Sequence, residues 1–565
     1  MKILLLVSAF NGLTQRAWCA LRQAGHDVTV ELAPVYETPE ELTAKVYASA
    51  PEIILCPFLK HKVPEDVWRK WPTIIIHPGP IGDRGPSSLD YAIMEGNRQW
   101  GVTALSAVDE MDAGPVWASR IFPMPSEPIA KATLYNSAVA DAAMSCIEEV
   151  IEKAADPQFA PIPQEEMPQP VPHVGTRPLI RRAERVFDWE NSAVEIVRRI
   201  RAADSSPGVR TSIDGQTVHV YDAAVGERRG RRVPPGTIVG RGDDAIAVAT
   251  GDNLVWIGAV RRPTDCGGDG IKLPATMIFN DPSIPELPVP EGLRQTSYVR
   301  EGDVGFLTIR TYNGAMSTAQ CARIASSLKE ALNQDTKALV VTGTPAFFSN
   351  GVHLNVIEAA EDPSAEAWDN IHAINELCSA LVSCTDQLTI SAFSANAGAG
   401  GVMFGLSADV VLARDGVVLN PYYDIGLYGS ELHTFTLPRR VSPPTATKLL
   451  TEKLPVNTDQ AATIGLVDAV GPREWNEFRE WLSRMANAYV SPQRYDETMA
   501  TKLQVMDNTR PASYYEAHEL SEMAKDIFDN RSGFDASRAD FVYKRPARQT
   551  PPQIAQHRWR LSGLS

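Results

Sequence analysis

A histidine at the end of a short apolar segment is the first group in this sequence that is suited to chemistry. Thr73–Ile76 is typical of a buried strand, and His77 follows it directly, ahead of an irregular Pro-Gly-Pro-Ile-Gly loop. Asp112 lies in a later loop that is closed by Gly114. Because open α/β sheets place chemistry at the carboxyl ends of strands, the two side chains are candidates for a general acid/base pair. The alternative is a capping histidine and a turn aspartate in an ordinary α/β domain.

A glycine-rich segment in the carboxyl-terminal half is the second candidate. The segment Ala-Gly-Ala-Gly-Gly contains Gly398, Gly400 and Gly401 and enters a predicted helix. Glycines let a backbone approach a ligand closely, and the first turn of a helix offers N–H donors. The segment therefore suits a site in which the backbone itself binds a ligand. The alternative is that these glycines only let a helix pack tightly against a sheet.

Length and composition limit the classes of function. At 565 residues, 44% hydrophobic and 22% charged, the chain is predicted to be a soluble globular protein of three or more domains. A net charge of −15 argues against a general role on nucleic acid or membrane surfaces. The seven cysteines include no CxxC pair, which predicts reduced thiols in a cytoplasm and no zinc site. The amino terminus is interpreted as a strand and not a signal peptide, and no apolar segment reaches the about 18 residues that span a membrane.

The order of predicted elements divides the chain into five parts. Alternating strands and helices over 1–155 predict a doubly wound, parallel α/β sheet, and the absence of GxGxxG argues against a dinucleotide site. A proline-rich linker is predicted at 156–177, and a helix with about five short strands over 178–279 predicts a small, OB-like β-barrel. After a second linker at 280–298, the remainder, 299–565, is predicted as an α/β domain with a helical tail.

The pattern of apolar residues also predicts individual elements. It indicates strands at Asp27–Leu32, Val304–Arg310 and Ala338–Thr342, and a helix at Thr318–Leu332. Both the first and the last part of the chain are therefore expected to alternate strands with helices.

Residues 1–155 resemble the 10-formyltetrahydrofolate-dependent formyltransferases. HPGPIGDRG is similar to their His-x-Ser-Leu-Leu-Pro-x-x-Arg-Gly loop, and MDAGPV is similar to their Leu-Asp-Thr-Gly-Asp segment. The resemblance implies that His77 and Asp112 are catalytic. It also implies that Arg84 and Gly85 lie in the binding site for 10-formyltetrahydrofolate.

Two further features belong to this resemblance. The asparagine of the family's catalytic set falls on Ile75, so the amide that would help to hold the formyl oxygen is missing. Residues 178–262, which contain VFDWENSAVEIVRRIRAADSSPG, are similar to the carboxyl-terminal domain of the same family.

Residues 300–475 resemble the enoyl-CoA hydratase/isomerase (crotonase) family. FFSNGVHL is similar to their Phe-x-x-Gly-Ala-Asp-Leu segment, and AGAGG is similar to their triple-glycine loop. The resemblance implies an oxyanion hole for a thioester carbonyl, formed by the backbone N–H groups of Val352 and Gly400. Gly401 is expected in the same coenzyme A site.

Other polar groups replace this family's acid/base pair. Its two catalytic glutamates fall on Met403 and Tyr422, so addition of water to a C=C bond is not expected. The segment NPYYDIGLYGSELH adds Tyr423, Glu431 and His433 near the expected thioester. The alternative interpretation of this segment is a packing loop with aromatic core residues.

The two parts in this order resemble the HypX (HoxX) hydrogenase maturation proteins, together with NGAM at 313–316 and LYGSE at 427–431. The resemblance runs over almost the whole length and implies carbon monoxide synthesis for the iron of a NiFe-hydrogenase. In that scheme 10-formyltetrahydrofolate donates its formyl group to coenzyme A, and formyl-CoA then decomposes to carbon monoxide and coenzyme A. A cytoplasmic enzyme without a metal is expected, with other hydrogenase maturation proteins as candidate partners.

Each half of this scheme makes chemical demands that candidate residues can meet. Formyl transfer needs a donor to the tetrahedral oxyanion, for which His77 is suited, and Asp112 can orient it or act as base. Decarbonylation needs a base for the formyl proton and an acid for the leaving thiolate. Glu431 is the candidate base, and Tyr422 or Tyr423 is the candidate acid. Burial would raise the pKa of Glu431 and make it a better base.

Three other functions compete with this one. A formyltransferase or formate-releasing hydrolase fused to a modified acyl-CoA hydratase or hydrolase would release formate or a formylated amine. A non-catalytic scaffold that binds folate and coenzyme A would release nothing. A tRNA-binding role is supported by the arginine-rich segments Arg181–Arg201 and Arg228–Arg232, but the net charge of −15 argues against it.

Overall fold

The computed structural model describes residues 1–127, 129–228 and 233–558. The chain forms two compact units. The first comprises Met1–Gly270, Pro274–Pro290 and the segment from Pro546 onward, and the second comprises Ile271–Leu273 and Glu291–Arg545. Of the arginine-rich segment Arg228–Arg232, residues 229–232 lie outside the described residues.

The first sheet of the first unit has six strands. Its order is β2-β1-β3-β4-β5-β6, in which the first four strands are parallel and the last two are antiparallel. Residues of the parallel strands are buried almost throughout, as is usual where helices cover both faces of a sheet. The strands are β1 Lys2–Val7, β2 Asp27–Leu32, β3 Ile53–Cys56, β4 Thr73–His77, β5 Gln99–Ser106 and β6 Val116–Pro123.

Helices connect and cover these strands. The second helix begins after Thr38, whose hydroxyl accepts a hydrogen bond from Glu41 N at 3.3 Å and so caps the free amides of the first turn. The helices are α1 Gly12–Gln23, α2 Pro39–Ser49, α3 Glu65–Trp68, α4 Ser88–Met94, α5 Lys131–Leu134 and α6 Ala140–Ala154.

The predicted small β domain is an antiparallel sheet with a helix on one face. The strand order is β7-β8-β11-β10-β9, and pairing between β7 and β9, which would close a barrel, is not found among the described residues. Ile196, Val197 and Ile200 of the helix join the apolar core under the sheet. The elements are α7 Arg182–Arg185, α8 Ala193–Ala202, β7 Val209–Ile213, β8 Gln216–Gly226, β9 Ile238–Gly242, β10 Ala245–Ala249, β11 Leu254–Arg261, β12 Lys272–Pro274 and α9 Ala275–Ile278.

The second unit is built on another six-stranded sheet. Its order is β13-β14-β16-β18-β20-β23, with only the first pair antiparallel. Two small sheets, β15-β17 and β19-β21-β22, carry the loops discussed below. The strands are β13 Thr296–Glu301, β14 Val304–Ile309, β15 Ala315–Met316, β16 Ala338–Thr342, β17 Gly351–Val352, β18 Leu388–Phe393, β19 Ala397–Gly398, β20 Val410–Arg414, β21 Val418–Asn420, β22 Val456–Asn457 and β23 Ala469–Gly471.

Helices surround this sheet and form the predicted helical tail. The first is capped at Ser317, whose side chain and that of Gln320 form a reciprocal capping box. The helices are α10 Thr318–Leu332, α11 Leu354–Ala359, α12 Pro363–Val382, α13 Gly400–Leu406, α14 His433–Arg440, α15 Pro443–Glu452, α16 Thr458–Thr463, α17 Trp475–Tyr489, α18 Pro492–Asp507, α19 Ala512–Ile527 and α20 Phe534–Val542.

The compact units differ from the predicted boundaries at two places. Strand β13 begins at Thr296, inside the predicted linker 280–298. The segment from Pro546 onward, predicted within 299–565, belongs to the first unit. It does so because it supplies partners to the edge strand β2: Val30 N donates to Ile554 O at 2.9 Å.

Membrane-spanning helices and clusters of metal-ligating side chains are not found among the described residues. In the part of the chain that the structure describes, no helix is both long and apolar enough to cross a membrane. The same residues contain no group of three or more His, Cys, Asp or Glu side chains placed to hold a metal ion.

Candidate active sites

His77 is the last residue of β4 and lies between two carboxylates. Its Nε2 is 2.9 Å from Asp83 Oδ2, and its Nδ1 is 3.4 Å from Asp112 Oδ2. The side chains of His77 and Asp83 are only 4% and 2% exposed. The structure therefore brings the predicted pair together and adds a third member, Asp83, that the sequence analysis did not include.

Two glycines allow this arrangement. A methyl group at Gly79 would lie 2.3 Å from Asp83 Oδ2 and 2.4 Å from His77 Nε2, so only glycine fits beside their hydrogen bond. Gly85 N donates to Asp112 Oδ2 at 3.1 Å, which holds the carboxylate toward the imidazole. Gly85 has a φ of +124°, a backbone conformation that L side chains rarely adopt. The predicted folate-binding role of Gly85 stays a prediction.

The two carboxylates determine the charge of the imidazole. Burial alone lowers the pKa of His77, but the hydrogen bond to Asp83 and the charges of Asp112 and Asp83 outweigh burial and raise it. His77 is therefore held as an imidazolium more readily than a free histidine would be. A buried cation of this kind is suited to stabilise negative charge on a reacting oxygen.

The predicted linker 156–177 forms part of this site. Gln164 is buried, and its Nε2 donates to Asp112 O at 2.9 Å and to Gly114 O at 3.0 Å. Arg84 N donates to Gly175 O at 3.2 Å, while the Arg84 guanidinium lies 2.9 Å from Glu110 Oε1. These contacts fix the loops that carry Asp112 and Arg84. Nothing in the local pattern around Gln164 indicates this role, since both of its partners are backbone oxygens far along the chain.

Glu431 and Tyr423 form the centre of the second site. Tyr423 Oη donates to Glu431 Oε2 at 2.7 Å, and Ser430 N donates to the same oxygen at 3.1 Å. Glu431 is 2% exposed and has a φ of +59°, which is unfavourable for a residue with a side chain. Asn375 Oδ1 holds this conformation by accepting hydrogen bonds from Glu431 N at 2.9 Å and from Ser430 Oγ at 2.8 Å. Backbone strain that is over-determined by its neighbours is typical of functional sites.

The predicted oxyanion positions lie beside this carboxylate. A methyl group at Gly400 would lie 2.1 Å from Glu431 Oε1, and one at Gly351 would lie 3.4 Å from Gly400 N. Val352 follows Gly351 in β17 and is aligned with Met316 of β15. Gly351–Val352, Gly400 and Glu431 are therefore neighbours, and the oxyanion-hole role of Val352 and Gly400 stays a prediction.

Gly401 has a different reason for being glycine. A methyl group there would lie 2.1 Å from Ser349 O, so Gly401 lets α13 pack tightly against the backbone before β17. The packing interpretation thus fits Gly401, and the close approach to a functional group fits Gly400. The predicted role of Gly401 in the coenzyme A site stays a prediction.

Burial dominates the proton chemistry of this second pair. It raises the pKa of Glu431 to about 7, although the hydrogen bonds from Tyr423 and Ser430 N lower it in part. Burial and the charge of Glu431 raise the pKa of Tyr423 well above its ordinary value. Glu431 is therefore a stronger base than an exposed glutamate, and Tyr423 keeps its proton at neutral pH.

The remaining polar residues of this segment lie around the pair. The Tyr422 hydroxyl donates to Asn420 Oδ1 at 3.1 Å, so Tyr423 is the tyrosine that contacts Glu431. His433 Nδ1 is 3.0 Å from Ser430 O, and burial lowers the pKa of His433 to about 4. The neutral His433 ring supports the loop that carries Glu431.

One buried carboxylate near this loop has no counterpart in the sequence analysis. Glu519 of α19 accepts hydrogen bonds from Leu432 N at 2.9 Å, and from Thr434 N and Oγ1 at 2.7 Å and 2.6 Å. Burial raises the pKa of Glu519 to about 7. Its position in a helix of the tail gives no local sign of this contact.

Comparisons with known proteins agree with this architecture. Residues 179–265 match the family profile "Formyl transferase, C-terminal domain", and residues 304–549 match "Enoyl-CoA hydratase/isomerase". A methionyl-tRNA formyltransferase of Roseiflexus castenholzii is 31% identical over 187 residues, which cover 33% of this chain and 57% of that protein. These similarities confirm the predicted α/β fold class with formyltransferase-like and crotonase-like parts.

Two further similarities extend over the whole chain. The hydrogenase maturation factor HoxX of Bradyrhizobium diazoefficiens is 38% identical over 568 residues, which cover 99% of this chain and 98% of that protein. The crystal structure of HypX from Aquifex aeolicus in complex with tetrahydrofolic acid matches with a TM-score of 0.91 and 36% identity, covering 99% of both chains.

Proposed function

Since this chain belongs to the HoxX/HypX family of hydrogenase maturation factors, we propose that it synthesises carbon monoxide from the formyl group of 10-formyltetrahydrofolate. The first half-reaction transfers the formyl group to coenzyme A, and the second splits formyl-CoA into carbon monoxide and coenzyme A. The carbon monoxide is destined for the iron of a NiFe-hydrogenase. Other maturation proteins as partners and a cytoplasmic location are part of this proposal.

The His77 site is assigned the first half-reaction. The thiol sulfur of coenzyme A attacks the formyl carbon, and Asp112 accepts the thiol proton. The C–N10 bond then breaks as Asp112 returns that proton to N10. The imidazolium of His77 stabilises the oxyanion of the tetrahedral intermediate. His77 Nε2 faces Asp83 at 2.9 Å, so its N–H must turn from Asp83 to the formyl oxygen when substrate binds.

The Glu431 site is assigned the second half-reaction. Glu431 removes the formyl hydrogen as a proton, the C–S bond breaks, and its electron pair remains on the sulfur of coenzyme A. Tyr423 protonates that thiolate and recovers a proton from Glu431 across their 2.7 Å hydrogen bond. The cycle ends with carbon monoxide, coenzyme A as thiol, and both residues in their starting states. The backbone at Val352 and Gly400 holds the thioester oxygen.

The hydrogen-bonded pair of Glu431 and Tyr423 beside Gly400 is the observation that carries this proposal. A hydratase adds water with two carboxylates, whereas decarbonylation needs one base and one acid that exchange a proton. A base with a pKa near 7 has a proton affinity matched to neutral pH, and the pKa of Glu431 is about 7.

The product of the reaction tests the proposal. Full-length protein is incubated with 10-formyltetrahydrofolate, with and without coenzyme A, and carbon monoxide is trapped on deoxyhaemoglobin. We expect carbon monoxide only when coenzyme A is present. Formate or a formylated amine in its place would contradict the proposal. Such products would favour a formyltransferase or hydrolase fused to a modified acyl-CoA hydratase.

A further inference from the structure

A basic cavity lies in the small β domain of the first unit. None of its lining residues belongs to the two candidate active sites. Its volume is about 400 Å³, within the roughly 300–1,000 Å³ that is typical of ligand pockets. Four arginines line it, together with one histidine and one aspartate: Arg182, Arg185, Arg210, Arg261, His219 and Asp265. Such a concentration of positive charge is unexpected in a chain with a net charge of −15.

The arginines are only partly neutralised. Arg210 lies 2.6 Å from Asp265, and the same carboxylate is 3.9 Å from Arg182, whose side chain is 63% exposed. Arg261 is held by neutral oxygens, with Nε 3.1 Å from Tyr221 Oη. One aspartate thus serves two arginines in the lining, and Arg261 adds a further positive charge.

Arg185 is fixed from outside the lining. It is buried, and its guanidinium forms an ion pair with Asp90 of α4. Asp90 also accepts hydrogen bonds from Lys131 Nζ at 3.2 Å. Arg185 and Lys131 thus share Asp90, and the charge of Asp204 also acts on Lys131. The excess of positive charge in the cavity therefore comes from Arg182, Arg210 and Arg261, whose lining holds one carboxylate.

His219 supplies a polar group without a partner. It is 5% exposed, lines the cavity, and its Nδ1 has no hydrogen-bond partner among the described residues. Burial, together with the charges of Arg261, Arg182 and Arg210, lowers the pKa of His219 to about 4, so the ring is neutral at pH 7. A buried polar atom that is left unpaired is costly, and a bound ligand would remove that cost.

We propose that this cavity binds the phosphate group of a small molecule. Arginine presents N–H donors in a fork that matches phosphate oxygens, and charge-assisted bonds of this kind are the strong ones. His219 Nδ1–H adds a neutral donor at the buried wall, so that a phosphate monoester or a diphosphate would satisfy both the excess charge and the unpaired nitrogen. The site does not depend on the carbon monoxide chemistry proposed above.

Calorimetric titration of the full-length protein with inorganic pyrophosphate tests this site. Arg261→Gln and Arg182→Gln each remove one lining charge, and we expect each to weaken pyrophosphate binding about tenfold. Arg262→Gln is the matched control, because Arg262 is exposed, pairs with Asp269 at 3.3 Å and does not line the cavity. It removes the same charge from the neighbouring position and is expected to change the affinity less than twofold.

A second measurement follows the neutral His219 ring and does not require the removal of an arginine charge. In protein labelled with ¹⁵N-histidine, pyrophosphate is expected to shift the ring signal that is missing in His219→Gln. Displacement of pyrophosphate by coenzyme A but not by dephospho-coenzyme A would identify a cofactor phosphate as the ligand. Failure of both to displace it would identify a free phosphate compound, and either result supports the site. Absence of saturable binding, or equal weakening by Arg262→Gln, would overturn the proposal.

Discussion

The two candidate active sites use burial in opposite ways. At His77, two neighbouring carboxylates overcome the effect of burial and raise the pKa of the imidazole. At Glu431, burial overcomes the hydrogen bonds of Tyr423 and Ser430 N and raises the pKa of the carboxyl to about 7. The first arrangement favours a buried cation, and the second favours a strong base with a proton supply beside it.

The difference matches what the chemistry of each proposed half-reaction requires. Transfer of a formyl group passes through an oxyanion, which a preformed positive charge stabilises. Removal of a formyl proton requires a base whose proton affinity is near neutral pH. The charges that lie next to a buried group thus decide whether burial leaves it a cation, as at His77, or a strong base, as at Glu431.

The largest expected effect is that of Glu431→Gln, which should abolish the second activity and leave the first intact. Glu431→Gln keeps the volume of the side chain but cannot accept the formyl proton. We expect carbon monoxide production to fall by about three orders of magnitude or more, while 10-formyltetrahydrofolate is still consumed and formyl-CoA, or formate from its hydrolysis, accumulates. Quantification of all three products by mass spectrometry and haemoglobin trapping checks this.

Glu519→Gln is the matched control for this variant. Glu519 is also a buried carboxyl with a pKa of about 7, but its oxygens accept hydrogen bonds from Leu432 and Thr434. If Glu519→Gln reduces carbon monoxide as strongly as Glu431→Gln, the loss reports on the loop and not on proton removal.

The complementary variant is His77→Ala, which removes the cation of the first site. We expect the rate of 10-formyltetrahydrofolate consumption to fall about 10²–10³-fold, the loss usual for one preorganised donor to an oxyanion. Decarbonylation of formyl-CoA supplied directly should stay at the wild-type rate. Loss of both activities in this variant would show that the two sites are not separable in function.

A smaller effect distinguishes the two adjacent tyrosines. Tyr423→Phe removes the hydroxyl that donates to Glu431 Oε2 at 2.7 Å, and we expect a loss of about 10- to 100-fold in decarbonylation. Tyr422→Phe removes a hydroxyl that donates to Asn420 and is expected to change the rate less than about threefold. The reverse order of effects would assign the acid to Tyr422.

Asp83→Asn removes one of the two charges that oppose burial at His77, so that burial sets the pKa there as it does at Glu431. With one negative charge removed, burial should lower the pKa of His77, so the imidazolium is lost at a lower pH. Activity that depends on the imidazolium persists below this pKa, and the descending limb of the rate–pH profile should therefore move to lower pH. At pH 7 we expect a loss of about tenfold. An unchanged profile would exclude Asp83 as the residue that sets this charge.

Much of the fold was predictable because strands and helices leave periodic apolar patterns. The predicted strands Asp27–Leu32 and Ala338–Thr342 and the helix Thr318–Leu332 have the same bounds in the structure, and the predicted strand Val304–Arg310 ends one residue earlier, at Ile309. Strand β13 was missed because its sequence, TSYVRE, is partly or fully exposed and lacks an apolar pattern. An edge strand pairs through its backbone, and backbone hydrogen bonds do not require an apolar side-chain pattern that could be recognised in the sequence.

Site residues could be predicted where they lie in a recognisable motif. They could not be predicted where a residue distant in the sequence makes the contact. His77 and Asp112 lie in recognisable loops, and the structure brings them together. Asn375, which holds the strained Glu431 backbone, contributes from the middle of α12, where its pattern is that of an ordinary helical residue. Asp83 is the exception, since a carboxylate in the loop after His77 could have been included from its position alone.

The smallest expected effect is on stability, and it tests whether burial rather than chemistry sets the state of Glu431. Its pKa is about 7 in the folded protein against an ordinary 4.5, so the folded state holds a proton that the unfolded state releases. The stability contributed by this protonation is complete below pH 4.5 and is lost as the pH rises through 7. Each such group contributes at most about 1.4 kcal/mol per pH unit to the slope of the unfolding free energy in this window.

Glu431→Gln removes the contribution of Glu431 to this slope and leaves the contribution of Glu519. Denaturant midpoints measured at pH 5, 6 and 7 should therefore fall less steeply in Glu431→Gln than in the wild type or in the exposed control Glu330→Gln. Parallel curves for all three proteins would mean that the carboxyl of Glu431 is not protonated by burial, and the contrast between the two sites would fail.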